Sequence, residues 1–487
     1  MFAEMTSVAM VGAEPRAVRV EAHVGGPKDV FKLSGLPDTA VREAKERVRA
    51  AVSSSSLPFP VRRITVNLAP ADLPKAGADY DLPIALGVLG AAGHLPSRPF
   101  VALGELALDG SVRSGRGALG AAILSARLGI PCLVAEEAAA EAATVAGAQV
   151  YPVRSLAEAV SAVANDDRRP VRPLVPAPTP ATPDLSEIRG QPLARRAIEV
   201  VAAGGHHLFM HGPPGSGKTM LARRLPGILP PLTDDQALVA ACVWAAAGRR
   251  RGVDHTPPFR SPHHTASLAA LVGGGSGVVV PGELSLAAHG VLFLDELGEF
   301  PARTLDALRQ PLEEGVVAVA RRGISVTFPA AVQLVAASNP CPCGYSGDRV
   351  EACRCLPAAV ERYHRRVSGP LLDRFDLRVS VRRPSGDDLQ GPPGEASSVV
   401  ARRVAAARAI QRARGGLNRD LGRSALDDLP MESGAGALLH GAVERSGLTG
   451  RGFDRIRRVA RTLADLEDVE MVGEDHVAEA LALRGSW

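Results

Sequence analysis

A chain of 487 residues is long enough for two or three domains, each burying its own core. Its 46% apolar and 22% charged content are those of a soluble globular protein, and no apolar run reaches the length of a membrane-spanning helix. A net charge of +4 permits a polyanionic partner without demanding one. The opening MFAEMTSVAM carries an early acid, no basic stretch and no sustained apolar stretch, so no secretion signal is expected and the cytoplasm is the expected location.

From Ala17 to about Asn165 strand-like and helix-like pieces alternate, the pattern of a self-contained α/β domain, expected over residues 1–165. After Asp38, a plausible N-cap, Val41, Ala44, Val48 and Val52 recur at helical spacing. In RRITVNL, Ile64, Val66 and Leu68 share one face of a half-buried strand. DLPIALGVLGAAG reads as a helix, GELALDGSV as a strand with an Asp109-Gly110 turn, and PCLVA, QVYPV and SLAEAVSAVA as strand, strand and helix. The clustered ionisable groups Asp72, Lys75, Asp79 and Asp81 fit a solvated loop as well as a catalytic one. Residues 166–186, dense in proline, read as an extended linker.

Residues 187–390 read as a nucleotide-binding core with a parallel sheet. FMHGPPGSGKT matches the phosphate-binding pattern G-x-x-x-x-G-K-[ST] at every fixed position. Gly212, Pro213, Pro214, Gly215, Ser216, Gly217, Lys218, Thr219 and Met220 should wrap the phosphates of ATP. The glycines let backbone N–H groups turn inward, Lys218 brings a point charge, and Thr219 offers a hydroxyl to Mg²⁺. A Gly/Pro turn that happens to contain Lys-Thr is the plain alternative. About eighty residues later VLFLDEL ends a buried strand on Asp295 and Glu296, at the carboxyl end where α/β sheets place ligands. Asp295 would share the Mg²⁺ with Thr219, and Glu296 would polarise the attacking water. A third strand, AVQLVAASN, ends on Asn339, placed either to orient that water or to cap the turn before Pro340.

VVAVARRGISVTFP alternates about Arg321-Arg322-Gly323 and predicts a β-hairpin with two cations at its tip, suited to a phosphate backbone or to plain solvation. Adjacent His263 and His264 would point to opposite faces of a strand, so a loop is expected rather than a metal site. Cys341, Cys343, Cys353 and Cys355 form two Cys-x-Cys pairs in one loop (341–355), enough to close a tetrahedral Zn²⁺ site, with His364 as a substitute ligand and idle thiols as the alternative. Residues 391–487 read as all-helical, with Val404, Ala407 and Ile410 on one face, Ile456, Val459, Leu463 and Leu466 on another, and arginines around both on faces expected to be solvated.

The segments GLPDTAVREAKERVRAAV, RRITVNLAPADLPK, PHHT, GVLFLDEL, SNPCPCG and LLDRFDL together resemble the ComM/YifB family of Mg-chelatase-like AAA+ ATPases over nearly the whole chain. The resemblance implies an N-terminal domain similar to the Lon protease domain, an AAA+ module and a helical lid. GADYDLP, around Asp79 and Tyr80, holds no serine where Lon has one, so no peptidase activity is expected. It further implies that Arg374 serves as an arginine finger in a neighbouring subunit, that Arg451 (or Arg455) of the lid reads the nucleotide, and that the Arg321-Arg322 hairpin is a pore loop. The implied activity is that of a hexameric DNA motor migrating branches during recombination in natural transformation, acting on single-stranded or branched DNA. A chelatase-type motor subunit or a protein-remodelling ATPase is the alternative.

Overall fold

A computed structural model describes the chain except for Pro37, Pro74, Ala76, residues 166–169, 174–181 and 276–278, Arg322, Gly323, Arg349, Ser368, Gly447, Ser486 and Trp487; the side chains of Arg321, Ile324 and Ser446 are also outside the description. Most of the proline-rich stretch thus lies outside the described residues.

Seven strands form the N-terminal sheet, in the spatial order Val30–Ser34, Arg63–Ala69, Glu14–Val24, Phe2–Val11, Val101–Ala102, Cys132–Ala135 and Val150–Val153. The hairpin Phe2–Val11/Glu14–Val24 pairs antiparallel, and Arg63–Ala69 extends it antiparallel; the other neighbouring pairs are parallel. Strand alternation works as read: Ile64, Val66 and Leu68 are fully buried. The helix Thr39–Ser54 begins where Asp38 accepts a hydrogen bond from the Val41 N–H (2.8 Å), and Val41, Ala44, Val48 and Val52 enter the core. The first strand, Phe2–Val11, has no counterpart in the sequence reading, since its residues were weighed there only as a possible leader.

One expectation for this region is corrected. Lys75 and Asp81 are buried, not solvated. Asp81 pairs with Arg47 (2.6 Å) and accepts the Leu106 N–H, and Lys75 donates to the Pro70 carbonyl. They serve packing, because a buried charge persists only with such partners.

The second sheet is wholly parallel, in the order Phe259–Arg260, Val291–Leu294, Gln333–Ser338, Leu208–His211 and Leu377–Ser380. Parallel pairing directs every carboxyl end to one edge. The two sheets are joined by contacts of the helix Asp234–Ala246 and the loop after it: Ala241 and Cys242 share a core with Val101, Leu119 and Val150, and Glu141 accepts the N–H groups of Arg251 (3.0 Å) and Gly252 (3.1 Å). No helix among the described residues is long and apolar enough to cross a membrane.

The C-terminal helices Ser397–Arg414 and Gly450–Leu466 pack on the helix Pro192–Gly204, while Glu474–Ala482 packs on Gly450–Leu466 and Ser433–Ser446 on Glu474–Ala482. Here too the charged faces depart from expectation. Arg457 and Arg461 are only 8% and 3% exposed. Arg457 binds Asp427 and the Leu426 carbonyl, while Arg461 binds Asp465 and the carbonyls of Val469 and Glu470. Long aliphatic stems let these arginines pack while their ends finish loop hydrogen bonds. Val404 and Ala407 are buried as read, whereas Ile410 lies at the margin.

Candidate functional site

The strand Leu208–His211 lies between Gln333–Ser338 and Leu377–Ser380 and delivers the glycine-rich loop to the carboxyl edge. Gly215 and Gly217 adopt φ of +75° and +93°, a region L side chains rarely enter, and a Cβ at Gly212 would lie 2.0 Å from the Val381 carbonyl oxygen. These three positions therefore need glycine. The helix Lys218–Arg224 follows at once.

Lys218 is 8% exposed, and its Nζ donates to the carbonyls of Gly212 (2.6 Å) and Pro213 (2.9 Å) and reaches Asn339 Oδ1 (3.3 Å). Burial pulls its ammonium down to about 8, against the opposing pull of Asp295 and Glu296. Thr219 Oγ1 donates to Asp295 Oδ2 (2.7 Å). A hydroxyl and a carboxylate meeting beside the phosphate loop form an oxygen donor pair that fits Mg²⁺, a cation that keeps most of its waters and takes few protein ligands. The residues present therefore fit both ATP and its metal. Glu296 sits in the left-handed region (φ 53°), which turns it away from the strand. Its carboxylate lies 3.1 Å from His264 Nδ1.

His264 is the residue sequence reasoning missed. Its segment is a loop, as expected, but the two rings lie together, 4.1 Å apart, with His264 against the Glu296 carboxylate. The available signal is the PHHT segment itself, which the sequence reading assigns to a loop and to the family resemblance without a contact to Glu296.

Other predicted residues lie apart from this cluster. Arg374 is 7% exposed, donates to the Pro370 carbonyl (2.8 Å) and pairs with Glu313 of its own chain. Arg455 is held by buried Asp376 (2.5 Å) and the Arg374 carbonyl (2.9 Å). Burial opposes ionisation of Asp376, yet hydrogen bonding from His206 and the charge of Arg455 hold its carboxyl well below the usual range. Arg451 stays exposed at the start of the helix Gly450–Leu466, so of the two lid candidates Arg455 is committed to structure and Arg451 is not. The hairpin forms as read, Val316–Arg321 against Ile324–Pro329 with Arg321 opposite Ile324. Arg322 and the Arg321 side chain lie outside the described residues.

The four clustered cysteines converge. Their sulfurs lie within 4.8 Å of one another, with Cys341 to Cys343, Cys343 to Cys353 and Cys341 to Cys353 at 3.4, 3.6 and 3.7 Å. Tetrahedral Zn–S bonds of about 2.3 Å imply sulfur separations of about 3.8 Å, so the set fits zinc. Backbone N–H groups of Ser346 and Cys343 point at the sulfurs of Cys341 (3.3 Å) and Cys355 (3.4 Å). Such donors stabilise thiolates. His364 instead contacts the Pro340 carbonyl (2.8 Å) and is not part of the cluster. The loop packs on the phosphate loop: a Cβ at Gly344 would meet Pro214 Cδ at 2.7 Å.

Three family models match the chain in sequence: subunit ChlI of Mg-chelatase over residues 18–138, magnesium chelatase subunit ChlI over 184–389, and the ChlI C-terminal region over 394–484. The chain is 41% identical to competence protein ComM of Haemophilus influenzae, covering 98% of this chain and 96% of that one. It is 42% identical to YifB of Salmonella typhimurium and 40% identical to YifB of Escherichia coli K12, with the same coverage. A stretch of 100 residues is 29% identical to DNA replication licensing factor mcm-6 of Caenorhabditis briggsae, covering 20% of this chain and 11% of that one.

Proposed function

The chain belongs to the ComM/YifB family of Mg-chelatase-like AAA+ ATPases, and from that premise we propose that it is the subunit of a homohexameric DNA motor that migrates branches in homologous recombination. The observation that carries the reading is the convergence of Lys218, Thr219, Asp295, Glu296 and Asn339 on one edge of the parallel sheet, in a chain similar throughout to a competence protein.

In this reading the glycine loop and Lys218 hold the triphosphate, and Thr219 and Asp295 hold Mg²⁺, which when bound offsets charge developing on the phosphates. Glu296 accepts the proton of the attacking water, and His264 fixes the carboxylate's direction. Asn339, within reach of Lys218, orients that water against the γ-phosphate. Arg374 completes the site of the adjacent subunit after leaving Glu313, and Arg451 reads the nucleotide from the lid. A trans arginine raises phosphoryl transfer by roughly 10³ to 10⁵.

Motion reaches DNA through connectivity. The hairpin Val316–Pro329 lies in the chain between Glu296 and Asn339, so a change at either end of the nucleotide site tugs on its base. Arg321 and Arg322 at the tip contact the phosphate backbone, without base stacking, since few aromatics are near. Zinc held by the four cysteines keeps the loop over Pro214 in shape. Residues 1–165, 187–390 and 391–487 are the three functional units, joined at 166–186 by the linker, and the cytoplasm is the proposed location.

The matching ChlI models favour one second reading, a chelatase-type or protein-remodelling motor that ignores DNA. Fluorescence anisotropy of labelled single-stranded and four-way-junction DNA separates the two. Binding that weakens with salt and falls at least tenfold in Arg321→Ala/Arg322→Ala supports the motor on DNA. Binding unaffected by that double substitution removes the hairpin from the account.

A further inference from the structure

A second basic site lies at the opposite end of the parallel strands. A cavity of about 320 Å³ opens where the residues preceding two catalytic strands, His289-Gly290 and Ala331-Val332, face the loop Leu229–Leu232 and the end of the lid helix Ser397–Arg414. Arg408, Arg412 and Arg419 line it, with Asp420 its single carboxylate. Asp420 is committed to Arg419 Nε (3.2 Å) and is largely exposed. The walls thus carry three guanidinium groups against one acid.

Arg408 makes the imbalance costly. It donates from Nε to the Ala202 carbonyl (2.7 Å), and no carboxylate among the described residues pairs with it. Burial and the neighbouring charges of Arg419 and Arg412 pull its basicity down to about 10. Arg408 is thus a partly buried cation beside two further guanidinium groups, and an anion between them would relieve their repulsion. A second, independent sign is His289, a non-glycine residue at φ 61° on the cavity wall, held there by a hydrogen bond from its own N–H to the Ala331 carbonyl (2.7 Å). Strain of this kind collects at ligand sites.

We propose that this cavity binds a small phosphate-bearing ligand, between the lid and the amino ends of the strands that carry Asp295 and Asn339. The volume suits a ligand with one or two phosphate groups and little more, and guanidinium forks match phosphate oxygens in charge and shape. The assignment stands apart from the DNA reading, since none of its residues belongs to the glycine loop, the hairpin or the cysteine cluster. An occupant would bridge the lid to the core, through Arg408 and Arg412 on one side and the strand starts on the other.

The test is calorimetric titration of the full-length protein with inorganic pyrophosphate while the glycine loop is saturated with Mg²⁺ and ATPγS. Saturable binding is expected at about one site per chain, persisting in Lys218→Ala, where the loop's own charge is gone. Arg412→Gln, an exposed position whose change leaves the fold alone, should weaken it about tenfold, the worth of one charged hydrogen bond. Repeating the titration with adenosine monophosphate and with inorganic phosphate distinguishes a nucleotide from a free phosphate, and a preference for either identifies the occupant. Binding abolished by Lys218→Ala or by loop saturation would show that pyrophosphate enters only the glycine loop and would overturn the assignment. Binding unchanged in both Arg412→Gln and Arg408→Gln would overturn it as well.

Discussion

At the scale of single residues, the proposed chemistry turns on two groups, Lys218 and Glu296. Lys218 holds its proton only up to about pH 8, because burial disfavours the cation more than Asp295 and Glu296 restore it. The cation is the form that meets phosphate. ATP affinity should therefore be constant below pH 8 and fall above it, by up to about tenfold per pH unit. Equilibrium ATP binding followed from pH 7 to 9.5 checks this, and a flat profile would show that Lys218 does not supply the charge. Glu296 is the other group. Glu296→Gln should keep ATP binding and lower kcat by about 10² to 10⁴, the usual worth of a positioned base. His264→Ala should lower kcat less than Glu296→Gln while leaving ATP affinity unchanged, since the contact the imidazole makes is with the Glu296 carboxylate. A loss confined to KM would assign His264 to substrate binding instead.

At the scale of elements, the cysteine loop and the lid show how local order is obtained where apolar residues are few. The loop 341–355 rests on four sulfurs and the N–H groups aimed at them. Chelation, or Cys353→Ser, should release about one zinc per chain, lower the melting temperature and weaken ATPase activity through the contact of Gly344 with Pro214. Full activity with no zinc released would leave the cysteines without a metal. In the lid, Asp465 is fully buried and held by Arg414 (2.6 Å), Arg461 (3.0 Å) and Asn418 (2.7 Å). Arg461→Ala should cost about 3 kcal/mol in urea unfolding, because it exposes a buried carboxylate to partial loss of its partners. A cost under about 0.5 kcal/mol would mean the network is redundant.

These elements also mark what was readable beforehand. The glycine loop, the strand ending in Asp295-Glu296, the existence of the hairpin and the N-cap at Asp38 were all legible, because each depends on residues close in sequence whose backbone demands are specific. What was not legible depends on distant partners. The arginines of Gly450–Leu466 have the periodicity of a solvated face, and only the arrival of Asp427, Asp465 and the 469–470 carbonyls buries them. Lys75 and Asp81 were misjudged for the same reason, as Arg47 and the Pro70 carbonyl come from elsewhere in the fold. The use of His264 became visible only when the loop met Glu296.

At the scale of the whole molecule, the nucleotide site and the cysteine loop depart from the carboxyl edge of one parallel sheet, the hairpin Val316–Pro329 leads into the amino end of the strand Gln333–Ser338, and Arg374 is tied to Glu313 within its own chain. In the proposed ring that arginine would exchange Glu313 for the neighbour's phosphates. Mixing Arg374→Ala with Lys218→Ala subunits should then restore part of the ATPase activity that each lacks alone, and failure to do so would place Arg374 in a purely structural role. The most direct test of the central claim is the steady-state ATPase rate with and without single-stranded and four-way-junction DNA, at low and moderate salt, beside Glu296→Gln. The account predicts a rate raised by DNA, a stimulation weakened by salt as phosphate contacts require, and an inactive Glu296→Gln. An active ATPase indifferent to every DNA at both salt concentrations would contradict it.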